Sequence, residues 1–210
     1  MKHVPHLVVG APWVGDSLPL SVLQSRHLTK VLKLGRGDRV SYTDGLGRVG
    51  SGRLGNHTVE RGDESEMPRP SDLIVAVAPP ASKDRQRFLV EKLAEMGVAR
   101  LMWLESRHGK GRLASGQKLF SWVLSAVEQS RGAWLMETSS DFVGWSALEE
   151  PVVVCHPGGS ATPPTARTVV IGPEGGFAEG EIPDGMTTWD LGPTILRVET
   201  AAIIAAARLV

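Results

Sequence analysis

"VIGPEGGF" (residues 170–177) continues the apolar run "TVVIG" (168–172), so a strand-like segment ends in three glycines, a proline and a glutamate. A chain that only had to turn would need one glycine. This one leaves almost no side chain between its backbone and a visitor. Two uses fit. Consecutive backbone N–H groups can form a concave nest for an anion, or exposed N–H and C=O groups can bind the edge of a purine. A tight turn at a sheet edge is the plainer alternative, and three glycines with Pro-Glu exceed what it needs. In open α/β sheets ligands bind beyond the carboxyl ends of strands, where this loop would lie.

A second segment has the same design. "WDLGPTILRVETA" (189–201) leaves a strand-like run, passes Gly192 and Pro193, and enters "ETAAIIAAARLV" (199–210), apolar nearly all round and so expected to be a buried helix. Glu199 falls in that helix's first turn, where a carboxylate suits the dipole, and Arg197 stands just before it. Taken singly, the two read as a cap and a surface pair. Beside two glycine loops they become candidate site residues.

Working outward, "LIVAVAP" (73–79), "LMWLE" (101–105) and "PVVVCH" (151–156) alternate with helical periodicity at 84–96 and 117–131. That alternation predicts an α/β domain with a mainly parallel sheet. The polar, proline-containing "RGDESEMPRPSD" (61–72) reads as the boundary between domains 1–70 and 71–210. Before it, "HLVV", "DRVSYTDG", "GRVGSGRL" and "HTVE" are short runs separated by turn signals, the pattern of a small β-rich domain. "GLGRVG" (45–50) fits the dinucleotide-binding string, but "SGRLGNHTVE" follows with no helical period. A hairpin with a glycine-rich turn is the better reading.

Composition narrows the classes further. The chain has 210 residues, 41% of them hydrophobic, and no net charge. Its single cysteine, Cys155, excludes a disulfide framework or a Cys-rich metal site, and reads as a buried, inert thiol. Neither a Walker-type string nor zinc-ligand spacing occurs, so no metal is expected. No run approaches the ~20 apolar residues of a membrane span. The N-terminal stretch is too interrupted for a signal peptide, so a soluble, cytoplasmic protein is expected. Charge is uneven: residues 1–70 hold ten Lys/Arg against seven Asp/Glu, 83–118 nine against four, and 119–210 four against eleven. A basic front and middle suit either a polyanion-facing side or a solvated face.

"IGPEGGF", an acidic residue soon after it, and "LG-x-x-ILR-x-ETA" resemble the small-subunit ribosomal RNA uridine N3-methyltransferases of the SPOUT superfamily. "RHLTKVLKLGRGDRV" (26–40) with "DGLG", "KDRQRFLVEKLAEMGV", "LESRH" and "EQSRG" (128–132) extend the resemblance over most of the chain. It implies a PUA-like β-barrel that handles RNA, followed by a SPOUT-type α/β domain with a deep trefoil knot. It implies S-adenosylmethionine as cofactor, a homodimer, and N3 of uracil 1498 in 16S ribosomal RNA as target. On matching positions the cofactor would be held by Ile171, Gly172, Pro173, Glu174, Gly175, Gly176, Leu191, Gly192, Ile195, Leu196 and Thr200. The catalytic candidates are Arg197 for charge developing on the base, and Glu199 or Glu174 for proton acceptance or orientation. Arg26, Lys33, Arg36, Arg107, Lys110 and Arg112 are the expected RNA contacts. The chain departs from the family at Thr194, where Arg is usual, and at Ala178, where a capping Ser is usual. It also lacks the N-terminal Arg-x-Phe. A non-catalytic RNA-binding protein, an enzyme for another nucleotide or phosphate, and a SPOUT methyltransferase acting on another RNA position are the alternatives.

Overall fold

The computed structural model describes residues 4–109 and 111–210. The chain forms two compact units: one runs through Arg69 and includes Val127–Leu135, and the other comprises Pro70–Ala126 and Met136–Val210. The expected division into 1–70 and 71–210 therefore gains a returning segment.

The first unit holds β1 (His6–Val8), β2 (Ser17–Pro19), α1 (Val22–Arg26) running into a π-helical turn (His27–Val31), β3 (Arg39–Thr43), β4 (Arg48–Leu54) and β5 (Thr58–Glu66). The strands form one curled, PUA-like sheet in the order β1-β3-β4-β5-β2, with β1 parallel to β3 and the other pairs antiparallel. Its concave side closes on Leu18, Leu28, Val40, Tyr42, Leu54 and Val59, all buried. Residues 44–47 form the β3–β4 turn, where the Asp44 carboxylate accepts from Leu46 N at 2.7 Å and Arg48 N at 3.1 Å. The dinucleotide-like string is thus a hairpin.

Half of the expected boundary, residues 61–66, is instead the end of β5. Its polar residues are paired: Arg61 Nε donates to Glu64 Oε1 along the same strand (2.7 Å), and the Tyr42 hydroxyl of β3 donates to the same oxygen (3.0 Å). Val127–Leu135 joins this unit through main-chain bonds Gly47 N→Ala133 O and Leu135 N→Gly45 O, and through Trp134 Nε1→Met67 O.

The second unit contains β6 (Ile74–Val77), α2 (Lys83–Glu95), β7 (Arg100–Leu104), α3 (Gly116–Ser130, whose last turn counts with the first unit), β8 (Glu137–Val143), β9 (Val152–Ser160), β10 (Thr168–Ile171), β11 (Thr187–Trp189) and α4 (Val198–Leu209). Its six-stranded sheet is parallel throughout, in the order β11-β9-β10-β6-β7-β8. Every residue of β6 and β10 is buried, as a parallel sheet covered on both faces requires. Each fully buried valine there contributes roughly 1.5–3 kcal/mol of apolar burial.

The terminal helix is not buried all round. Val198, Ala201, Ala202, Ala205 and Ala206 face inward, Ile203 and Ile204 are half-buried, and Thr200, Ala207 and Arg208 are exposed. After Phe177 only turns follow as far as β11, and Ala178 N donates to Glu181 Oε2 (2.7 Å) where a capping Ser is usual. No helix among the described residues is long and apolar enough to cross a membrane.

Candidate active site

In the second unit, β10 and β11 end around one cleft of about 530 Å³, flanked by the middle of β9, within the range of small-ligand sites. Its walls are Cys155–Pro157 from β9, Ile171–Phe177 from the first glycine loop, Asp190–Leu196 from the second, and Val198 and Ala201 from α4. Ten of the eleven expected cofactor residues line it; Thr200 does not, because it points outward from α4.

The loops are built from backbone. The missing Cβ of Gly172 makes room for the Phe177 ring, which a Cβ would meet at 2.8 Å. Gly176 adopts φ 73° and Gly192 φ 142°, which side chains rarely tolerate. Gly175 differs: its φ is ordinary, and the nearest atom to an added Cβ is His108 Cβ at 3.6 Å. Nothing among the described residues requires a glycine there. The N–H groups of Gly175, Leu191, Ile195 and Leu196 are bonded to no described residue.

Side chains brace the two loops from behind. Asp190, which spacing did not single out, ends β11 and accepts from Gly192 N (2.9 Å) and Gly158 N (3.0 Å), tying the second loop to β9. Those two N–H donors hold its carboxyl below the usual carboxylate range. His108 Nδ1 donates to Gly176 O at 3.0 Å. Burial pushes the Glu181 carboxyl up, but the Ala178 and Arg107 N–H groups outweigh it and bring it below its ordinary value. Cys155 is only partly buried and borders the cleft, although desolvation pushes its thiol up to about 12, which keeps it unreactive.

The three catalytic candidates separate. Glu174 lines the cleft and is ion-paired at 2.6 Å with Arg85 of α2. Arg197 is the exposed N-cap of α4, between the lining residues Leu196 and Val198, and its side chain has no partner among the described residues. Glu199 is 7% exposed and faces Arg85 at 3.7 Å rather than Arg197. It sits behind the cleft wall and is not the surface partner that its position beside Arg197 suggests. Arg85 itself lies in the stretch "KDRQRFLVEKLAEMGV", whose amphipathic pattern gives it no role at the site.

The expected RNA contacts are exposed where described. In the first unit Arg26 ends α1, Lys33 adopts φ 55°, and Arg36 stands 3.9 Å from Glu60. In the second, Arg107 donates from its guanidinium to Glu179 O (3.3 Å) and from its N–H to Glu181 Oε1 (2.9 Å), while Arg112 is exposed. Lys110 lies outside the described residues. No group of three or more His, Cys, Asp or Glu among the described residues could hold a metal.

A backbone-lined cleft at the carboxyl ends of parallel strands defines an α/β ligand-binding domain of the enzyme type. The model of the RNA methyltransferase domain matches residues 67–210, and the chain belongs to that family. Among solved structures, the ribosomal RNA small subunit methyltransferase E of Neisseria gonorrhoeae, bound to S-adenosyl methionine, shares 24% identity at TM-score 0.81, covering 98% of this chain and 96% of that one. A methyltransferase of Legionella pneumophila in complex with the same cofactor shares 23% identity at TM-score 0.81, with the same coverage. A predicted RNA methyltransferase of Thermotoga maritima shares 26% at TM-score 0.75, covering 97% and 96%. The fold is thus that of SPOUT-type methyltransferases with a PUA-like N-terminal domain. A search of curated proteins returns no match.

Proposed function

We propose that this RNA methyltransferase uses S-adenosylmethionine to methylate N3 of a uridine in 16S ribosomal RNA, with uracil 1498 the first candidate. The observation that carries the reading is the convergence of both glycine loops on one cleft, with Gly175 presenting bare backbone to it. The residues fit the cofactor: apolar Ile171, Leu191, Ile195 and Leu196 suit the flat faces of a purine, and the unbonded N–H groups suit its edge. When bound, the cofactor supplies an electrophilic methyl group on a sulfonium.

The protein's part is geometry and charge. The cleft must hold the uracil nitrogen about 3–3.5 Å from the methyl carbon and in line with it. The base leaves its stack to enter. Arg197, without a partner among the described residues and at a helix N-terminus, donates to a uracil oxygen as negative charge builds on the ring. Glu174, at the cleft wall, accepts the ring proton, and Glu199 behind it has an orienting role. The exposed Arg26, Lys33, Arg36, Arg107 and Arg112 take phosphates.

A homodimer, a trefoil knot and a cytoplasmic location belong to the same proposal. The chain runs from β10 out to the edge strand β11, and α4 returns to pack on α2, β10 and β6, as a knotted path would. Thr194, at the cleft where the family usually has Arg, favours the alternative that another nucleotide is the target. Incubation with methyl-labelled cofactor and unmodified small ribosomal subunits, followed by nuclease mapping, tests both. Label in 3-methyluridine at one position supports the proposal, and label in any other nucleoside replaces it with the alternative.

A further inference from the structure

Arg85 does not itself line the cleft, yet one of its partners, Glu174, does, and the other, Glu199, stands directly behind the wall. Its Nη1 lies 2.6 Å from Glu174 Oε1, and its Nε lies 3.7 Å from Glu199 Oε1. The neighbours of Glu174 in the chain, Pro173 and Gly175, line the cleft, and so do Val198 and Ala201 around Glu199. One guanidinium therefore joins the first glycine loop to the first turn of α4.

The base of this bridge is fixed. Gln86, the next residue of α2, is fully buried; its amide donates to Pro80 O (2.8 Å) and Arg112 O (2.9 Å) and accepts from Ala114 N (3.2 Å). The start of α2 is thereby pinned to two neighbouring loops. Glu199 in turn depends on the bridge. It is buried, its Oε2 has no hydrogen-bond partner among the described residues, and Arg85 is the cation within 4 Å of it. A buried carboxylate without such a counter-charge is strongly disfavoured. A lysine could not serve both carboxylates in the same way, because its ammonium is a single point charge rather than a planar fork.

We infer that Arg85 is a positioning residue that clamps the Gly172–Phe177 loop and the start of α4 onto α2, and so sets the width of the cleft. The inference rests on the cleft being the cofactor site, but the clamp itself can be read without cofactor. In the full-length protein, Arg85→Gln speeds amide hydrogen exchange at both 172–177 and 198–201. It also weakens S-adenosylmethionine binding about tenfold, the effect of ~1.4 kcal/mol. KM for the cofactor rises with Kd while kcat falls less. Arg85→Lys restores one of the two segments and part of the affinity. Glu174→Gln, which leaves the buried carboxylate paired, loosens 172–177 alone and keeps the test available if Arg85→Gln fails to fold. Unchanged exchange at both segments, or a lower Tm with unchanged Kd and KM, overturns the clamp. If the wild-type protein takes up no cofactor, the cofactor assignment falls, while the exchange pattern of the free chain still supports or overturns the clamp.

Discussion

Two stretches of this chain are rich in glycine, residues 45–52 in the curled sheet and residues 172–176 at the cleft, and they are glycine-rich for different reasons. In the sheet the missing side chains are replaced by the protein's own. A Cβ at Gly45 would lie 2.5 Å from Leu135 Cδ1, and Cβ atoms at Gly47, Gly50 and Gly52 would collide with Trp134, Tyr42 and the Glu60 carbonyl oxygen. At the cleft only Gly172 has such a neighbour. Gly176 has open space and a left-handed φ, and Gly175 has neither a close neighbour nor an unusual φ. The arginines follow the same division. Arg48 and Arg61 of the sheet are both bonded to Glu64, whereas Arg197 at the cleft has no partner among the described residues. Space and charge that the protein does not use itself mark where a ligand belongs.

The largest expected effect lies in the sheet. Gly52→Val places a branched side chain against the β5 backbone, so it should cost on the order of 3 kcal/mol and lower Tm by at least 10 °C or so. Normal melting would show that the sheet's glycines are no more constrained than the cleft's. Next comes Arg197→Lys, which keeps the charge and loses the planar fork. Methyl transfer should fall by roughly 10²–10³, the scale of losing one oxyanion donor, with Tm and cofactor affinity nearly unchanged. A large stability loss with normal turnover per folded molecule would make Arg197 a structural arginine like those of the sheet.

Much of this difference was legible in the sequence, because backbone exposure is a local property. "GPEGG" after an apolar run and "LGP" before an apolar helix identified both loops, and the alternation of strand and helix patterns identified the parallel sheet. Residues 61–66 look like linker by composition, because Glu64 is satisfied by Arg61 on its own strand and by Tyr42 and Arg48 on other strands, which composition cannot reveal. Val127–Leu135 falls with the second unit by its place in the sequence, because its bonds to Gly45 and Gly47 span more than eighty residues of chain. Arg85 and Asp190 are inconspicuous for the same reason: each matters through a partner distant in sequence. α4 reads as buried all round because alanine and isoleucine fill most of its positions, whereas Thr200, Ala207 and Arg208 face outward.

Asp190 sharpens the comparison at a smaller scale. Asp190→Asn should weaken cofactor binding about fivefold by loosening its hold on Gly192 N and Gly158 N. Its folded-state value is depressed, so its contribution is present above the ordinary carboxylate range and disappears as pH falls through the lowered value. The wild type should lose affinity over that acid range and Asp190→Asn should not; equal pH profiles would remove the carboxylate from the cleft's support. The smallest effects belong to the basic residues of the first unit. Lys33→Ala or Arg26→Ala should each lower the log–log salt slope of RNA binding by roughly 0.7–0.9. Arg36→Ala should lower it less, since Glu60 already stands 3.9 Å away. Unchanged slopes would reduce all three to solvated surface.

Gly175 tests the central claim most directly, because no described residue requires a glycine there. Calorimetric titration of S-adenosylmethionine into the wild type and into Gly175→Val should give one site per chain in the first. In the second, at an unchanged Tm, affinity should fall by a hundredfold or so. No binding to the wild type, or equal binding to a folded Gly175→Val protein, would mean that the glycine loops hold no cofactor.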